Sequence, residues 1–126
     1  MLRVLVVEDI RAMRMALVLI LKAHGYTPVE AETAEDALEA AALHPPDLML
    51  VDHSLPGRSG ADLVRAIRQN ECEWLRSVPI VGLSGARGSE QPLLEAGASC
   101  FVPKPIRSEQ ILKAVRWAVD VYQPGP

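Results

Sequence analysis

The sequence has little cysteine and no excess of positive charge. Its 126 residues contain two cysteines, Cys72 and Cys100, which have neither the spacing of a metal site nor the density of a disulfide-bonded domain. Such sparse cysteine is typical of proteins in a reducing cytosol. The 13 basic and 16 acidic residues give a formal net charge of −3 without a basic patch, which argues against non-specific binding to nucleic acid.

Signals for membrane insertion or export are also missing from this sequence. The apolar run at residues 16–21 is far shorter than the roughly 20 residues that a membrane-spanning helix needs. Residues 1–7 run directly into a strand pattern and lack the basic region and cleavage site of a signal peptide. We therefore expect a cytoplasmic protein that does not bind membranes.

Short apolar segments alternate with amphipathic segments along the chain. Hydrophobic residues make up 49% and charged residues 23%, which at this length is typical of one globular domain. The apolar segments predict strands at residues 4–7, 27–31, 48–52, 79–83 and 100–102. The amphipathic segments predict helices at residues 10–24, 33–43, 59–67, 91–96 and 107–122, with a polar connector at 69–77. This alternation predicts an α/β fold with a parallel sheet and right-handed crossovers.

The first predicted helix carries more apolar residues than one buried face requires. Spacings of three and four residues predict a core face made of Met13, Ala16, Leu17, Ile20, Leu21 and His24. Outside that face lie Met15, Val18 and Leu19. Two interpretations stay open for these three residues: packing against the last helix, or a surface for a protein partner.

Polar residues that can take part in chemistry lie at the ends of four of the five predicted strands. Glu8 and Asp9 follow the first strand, Asp52 ends the third, Ser84 follows the fourth and Lys104 follows the fifth. Because ligands of an open parallel sheet bind beyond the carboxyl ends of its strands, we expect these five side chains to share one site.

This set of side chains favours phosphoryl chemistry. Three carboxylates repel one another, and a divalent cation such as Mg²⁺ removes that conflict while it leaves positions for a phosphoryl group. A lysine and a hydroxyl suit phosphoryl oxygens. A carboxylate nucleophile beside a metal and a lysine makes a site for forming an aspartyl phosphate.

Four stretches of the sequence resemble the receiver domain of bacterial two-component response regulators, the chemotaxis regulator among them. They are Leu-Val-Val-Glu8-Asp9, Leu-Val-Asp52-x-x-Leu-Pro56-Gly57-x-x-Gly60, Leu83-Ser84-Gly85 and Phe101-Val-Pro-Lys104-Pro105. The resemblance implies a doubly wound, flavodoxin-like (βα)5 fold whose five parallel strands have the order 2-1-3-4-5. It also implies a receiver domain at residues 1–122, with residues 123–126 as a tail or the start of a linker.

The resemblance also implies roles for the residues at the strand ends. Asp52 is expected to be the phosphoacceptor, which a histidine kinase or histidine phosphotransfer protein phosphorylates, and Lys104 to pair with the acyl phosphate. For Mg²⁺, or alternatively Mn²⁺, the expected direct ligands are Asp9, Asp52 and the Ser54 backbone carbonyl, with Glu8 bound through water. The Lys104-Pro105 peptide bond is expected to be cis.

The expected output is a conformational switch rather than catalysis of a substrate's conversion. By resemblance, Ser84 turns towards the phosphoryl group and Phe101 repacks, which changes how a downstream protein effector binds. Kinases and phosphotransfer proteins of this family dock around the first helix, so Met15, Val18 and Leu19 are the expected partner surface. The spacing from Ser84 to Lys104 is slightly shorter than usual, which is either a simple loop deletion or a sign that the chain is a monomer or weak dimer.

Three alternatives compete with this interpretation. The chain could be the receiver piece of a hybrid histidine kinase or of a larger regulator. A haloacid-dehalogenase-like phosphatase also uses a strand-end Asp, but usually carries a second Asp two residues later, where this sequence has Ser54. A flavodoxin-like FMN carrier needs a hydroxyl-rich phosphate loop, and the Glu8-Asp9 pair has the wrong charge for it.

Overall fold

Five short strands rich in apolar side chains form the centre of the fold. The structure is a computed structural model that describes residues 2–85 and 88–120. Its strands are β1 (Arg3–Val7), β2 (Thr27–Ala31), β3 (Leu48–Asp52), β4 (Ile80–Ser84) and β5 (Cys100–Pro103). All neighbouring strands are parallel, and their order is β2-β1-β3-β4-β5. The predicted sheet and its strand order are confirmed.

Helices cover both faces of this sheet. They are α1 (Arg11–Ala23), α2 (Ala34–Leu43), α3 (Gly60–Arg68), α4 (Glu73–Arg76), α5 (Glu90–Ala96) and α6 (Ser108–Asp120). One buried cluster joins the sheet to α2, α3, α4 and α5, and a second joins it to α1 and α6. Because β3 and β4 are buried along their whole length, they can be continuous apolar runs, as expected for a doubly wound fold.

One prediction of secondary structure needs correction. The predicted connector at residues 69–77 contains the one-turn helix α4, whose Leu75 is buried; four residues are too few to give a helical periodicity in the sequence. The last helix was predicted to reach Tyr122, which lies outside the described residues, as do residues 123–126. The Lys104-Pro105 peptide bond is cis, as expected.

The buried stripe of α1 also differs from the predicted core face. Arg14, Leu17 and Leu21 are buried, whereas Ala16 and His24 are exposed. The stripe is displaced because the first turn of α1 packs Arg14, rather than an apolar side chain, against the ends of β1 and β2. Met13 and Ile20 are half-buried.

The surface residues of α1 separate the two interpretations that the sequence left open. Met15 is 47% exposed and Leu19 is 64% exposed, so the described residues leave much of both side chains uncovered. Val18 is half-buried. Packing against the last helix therefore does not account for Met15 and Leu19.

Gly60, at the start of α3, allows a close approach of backbone to backbone. A Cβ atom at this position would lie 2.1 Å from the backbone oxygen of Asp52. The Gly60 amide donates a hydrogen bond of 2.8 Å to the backbone oxygen of His53. The capping box formed by Ser59 and Asp62 starts the helix at this position. Absence of a side chain at Gly60 thus sets how close α3 lies to the end of β3.

Replacing Gly60 with alanine should displace the end of β3. We expect Gly60→Ala to lower the free energy of unfolding by about 3 kcal/mol, because backbone atoms must move to relieve the overlap. Urea denaturation measures this quantity. The matched control is Gly25→Ala, where the space is open but φ is +85°, so the left-handed conformation costs about 1 kcal/mol. Equal losses in the two variants would contradict the close approach.

Candidate functional site

The polar residues predicted to share a site do meet at the carboxyl edge of the sheet. The strand register places Val7 beside Val51, Asp52 beside Leu83, and Ser84 beside Pro103. The ends of β1, β3, β4 and β5 are therefore level with one another. Glu8 and Asp9 directly follow β1, so they enter the same edge.

Three carboxylates form the acidic cluster of this site: Glu8, Asp9 and Asp52. One oxygen from each of them lies within 4.8 Å of the others. Glu8 is fully buried and Asp52 is 1% exposed, whereas Asp9 is exposed. Such carboxylates are stable in the ionised form only when a cation or hydrogen-bond donors compensate their charge.

Among the described residues, Lys104 provides the one cationic group that contacts the carboxylate oxygens of the acidic cluster. Its Nζ atom lies 3.0 Å from Oδ1 of Asp52 and 3.4 Å from Oε1 of Glu8. The other oxygen of each carboxylate, Oδ2 of Asp52 and Oε2 of Glu8, is buried and has no hydrogen-bond partner within the described part of the chain. One lysine is thus present for three acidic residues. Two of the four carboxylate oxygens of Glu8 and Asp52 have no hydrogen-bond partner among the described residues.

This imbalance of charge changes the proton affinity of the site. Burial is the largest cause, and the neighbouring Asp52 carboxylate adds to it; together they raise the pKa of Glu8 to about 8, although Lys104 acts in the opposite direction. Burial acts to lower the pKa of Lys104, but the hydrogen bonds and charges of Asp52 and Glu8 outweigh it and raise that pKa. Lys104 therefore stays cationic at neutral pH, and Glu8 holds its proton more tightly than an exposed glutamate does.

The donor set fits a small divalent cation. Mg²⁺ prefers oxygen ligands, and usually takes one or two protein carboxylates together with water and phosphate oxygens. The carboxylates of Asp9 and Asp52, with the unpaired oxygen of Glu8 beside them, offer oxygen atoms of this kind. The Ser54 backbone also lies next to the cluster, because its N–H group lies 3.3 Å from Oδ1 of Asp52 and donates to it.

Ser84 ends β4 at the same edge. It is 5% exposed, and its backbone oxygen accepts a hydrogen bond of 2.8 Å from the Lys104 amide. Its hydroxyl is hydrogen-bonded to the hydroxyl of Ser89. Phe101 lies within β5 rather than at its end and is 37% exposed, so it is not part of the acidic site.

Two residues near the site were not predicted from the sequence. Ser89 is buried immediately before α5 and contacts Ser84; a serine directly before a helix was a signal that could have identified it. Arg14 is buried beside the backbone of Glu8 and Asp9, and an arginine within an apolar stripe gives no comparable local signal.

Comparison with known proteins agrees with this arrangement. The chain matches the response regulator receiver domain family over residues 4–116. It is 37% identical over 118 residues to the transcriptional regulatory protein KdpE of Mycobacterium tuberculosis, covering 92% of this chain and 50% of KdpE. The chain thus spans about half the length of that curated relative.

Solved structures give the same result. A putative response regulator from Chloroflexus aurantiacus has a TM-score of 0.88 and 28% identity, with 94% of this chain and 97% of that chain covered. The receiver domain of the sensor histidine kinase PA1611 from Pseudomonas aeruginosa, with a magnesium ion coordinated in its active site cleft, has a TM-score of 0.86 and 25% identity, with 94% and 97% covered.

No helix within the described residues is both long and apolar enough to cross a membrane.

The sheet order, the acidic cluster with its lysine, and the match over residues 4–116 all lead to one assignment. The chain belongs to the receiver domains of two-component response regulators.

Proposed function

We propose that this receiver domain accepts a phosphoryl group on Asp52 from a histidine kinase or a histidine phosphotransfer protein. The observation that carries the proposal is the environment of the Asp52 carboxylate. One of its oxygens is paired with Lys104 at 3.0 Å, and the other is buried without a partner beside two further carboxylates. The unpaired oxygen supports a role for Asp52 as the nucleophile, because no hydrogen bond within the described residues occupies it.

The transfer exchanges one bond to phosphorus for another. The unpaired oxygen of Asp52 attacks the phosphorus atom of a phosphohistidine; the P–N bond breaks, and the imidazole leaves with the electron pair and takes up a proton. Lys104 compensates the charge of the acyl phosphate. When bound, Mg²⁺ compensates charge on the phosphoryl oxygens. Asp9, Asp52 and the Ser54 carbonyl would hold it directly and Glu8 through water, and Mn²⁺ suits the same oxygen ligands.

The proposed switch starts at Ser84. Its hydroxyl contacts Ser89 at the start of α5, so a turn of Ser84 towards the phosphoryl group breaks that contact. Ser89 before α5 and Phe101 on the neighbouring strand β5 then repack, which shifts the population of states that a downstream protein effector recognises. In this scheme the domain is a signalling component rather than an enzyme, and it contacts no nucleic acid itself.

The assembly and location of the protein follow from the same proposal. We assign the receiver unit to residues 1–122 and a tail or linker to residues 123–126, and infer a cytoplasmic monomer or weak dimer without membrane contact. An alternative is a receiver piece of a hybrid histidine kinase or larger regulator, consistent with the chain spanning about half of KdpE. A haloacid-dehalogenase-like phosphatase is disfavoured because Ser54 provides no second acid.

The direct test is phosphorylation by a small donor. Incubation of the protein with acetyl phosphate and Mg²⁺ should add a single phosphoryl group, which intact mass spectrometry detects. Asp52→Asn, which lacks the nucleophilic oxygen, should remain unmodified, and EDTA should abolish the reaction of the wild type. Modification of the Asp52→Asn protein to the same extent as the wild type would contradict the assignment of the acceptor.

The exposed residues Met15 and Leu19, with the half-buried Val18, form the proposed docking surface for the kinase. We expect Leu19→Glu to slow phosphoryl transfer from a phosphorylated kinase about tenfold or more, because burial of one leucine contributes about 1.5–3 kcal/mol to binding. Phosphorylation by acetyl phosphate should be unchanged. The matched control is Leu43→Glu on α2, a leucine that is 68% exposed.

Leu43→Glu should leave both reactions unchanged. Transfer to Leu19→Glu at the wild-type rate, or an equal loss in the two variants, would contradict a docking role for α1.

A further inference from the structure

The most unusual buried group outside the acidic cluster is the guanidinium of Arg14. This residue is 7% exposed and lies in one stripe of α1 with Leu17 and Leu21. A buried guanidinium is tolerated only when its N–H groups are hydrogen-bonded and its charge is paired. The partners of Arg14 therefore indicate what this residue does.

Each nitrogen of the guanidinium has a partner. Nε lies 2.9 Å from Oε1 of Glu30, and Nη2 lies 3.1 Å from Oε1 of Glu32. Nη1 donates to the backbone oxygen of Glu8 at 2.9 Å and, at 3.5 Å, contacts the backbone oxygen of Asp9. The group thus connects α1, the end of β2 and the turn that follows β1.

The contact with Glu8 fixes a backbone segment that carries two of the three clustered carboxylates. The Glu8 amide donates to the backbone oxygen of Ala31 at 3.0 Å, while its carbonyl accepts from Arg14. Both polar groups of the Glu8 backbone are therefore held, and the peptide that joins Glu8 to Asp9 cannot rotate without losing the bond to the guanidinium.

Arg14 contacts this cluster at backbone oxygens. Its positive charge faces Glu30 and Glu32, whose side chains are 50% and 64% exposed. Two carboxylates outnumber the one guanidinium, so no net positive charge is added beside the acidic cluster. A cation that binds to the cluster thus meets no repulsion from an unpaired arginine.

We propose that Arg14 is a positioning residue of the metal site: by holding the backbone oxygens of Glu8 and Asp9, it orients both carboxylates for a divalent cation. Glu30 and Glu32 in turn hold the guanidinium in place. This inference rests on the proposed Mg²⁺ site and adds to it a residue that contacts neither the cation nor the phosphoryl group. Groups that orient metal ligands typically contribute 10- to 100-fold to metal affinity.

The test compares metal affinity with stability in the same variants. Titration calorimetry with MgCl₂ gives the Kd of the unphosphorylated protein for Mg²⁺. Urea denaturation in EDTA gives the free energy of unfolding of the protein without metal. We expect Arg14→Met, which keeps an unbranched apolar stem but has no N–H group, to raise Kd about tenfold or more. Arg14→Lys keeps the positive charge but loses the planar guanidinium with its several N–H donors. The Kd of this variant should therefore lie between the Kd of Arg14→Met and that of the wild type.

The matched control is Arg65→Met, at an exposed arginine of α3 that pairs with Asp62; its Kd should equal that of the wild type. A purely structural role would lower the stability of Arg14→Met while the folded protein keeps the wild-type Kd, and that result would overturn the inference. If Arg14→Met does not fold, Arg14→Lys decides: a wild-type Kd overturns the inference, and a raised Kd supports it.

The outcomes also separate this inference from the proposed function. A wild-type protein that binds Mg²⁺ and accepts a phosphoryl group on Asp52, with unchanged Kd in both Arg14 variants, would overturn the role of Arg14 alone. A wild-type protein without measurable Mg²⁺ binding would overturn the proposed metal site, and the role of Arg14 with it.

Discussion

Crowding of buried carboxylates is the constraint on which the site depends. Glu8 and Asp52 are almost completely buried, Asp9 lies within 4.8 Å of both, and one lysine contacts the group. A protein selected for stability alone would gain by replacing such a cluster with apolar residues. The cluster therefore supports the proposed function, in which cations and phosphoryl groups change its charge.

A few features of the fold create this crowding. A parallel sheet brings the carboxyl ends of its strands to one edge, so acids that are 43 or 44 positions apart in sequence become neighbours. Gly60 lets α3 approach the backbone of Asp52, and Arg14 holds the backbone of Glu8. Both residues act on the acids through main-chain atoms, which explains how a rigid site forms at the ends of short loops.

Much of the fold could be predicted because its signals are local. The strands β3 and β4 are uninterrupted apolar runs, and turn and cap residues such as Gly25 and Ser59 mark helix ends. The one-turn helix α4 was missed because it is shorter than two helical repeats. The predicted buried face of α1 was wrong because Arg14 is buried through contacts with residues 16 and 18 positions away along the chain. Hydrophobic periodicity does not reveal such contacts.

The site was predictable in its members but not in its geometry. Polar residues after strands identified Glu8, Asp9, Asp52, Ser84 and Lys104. Sequence alone could not tell that one oxygen of Asp52 pairs with Lys104 while the other has no partner among the described residues. Nor could it reveal the contact between the hydroxyls of Ser84 and Ser89. Both features depend on side-chain orientations, which the whole domain sets.

The most direct measurement of the central claim is the free energy of unfolding in MgCl₂ and in NaCl of equal ionic strength. If a divalent cation relieves the crowding of the acids, Mg²⁺ at about 100 times its Kd should stabilise the wild type by about 2.7 kcal/mol. Asp9→Asn, which removes one carboxylate at an exposed position, should reduce that gain. Equal stability of the wild type in the two salts would contradict the account.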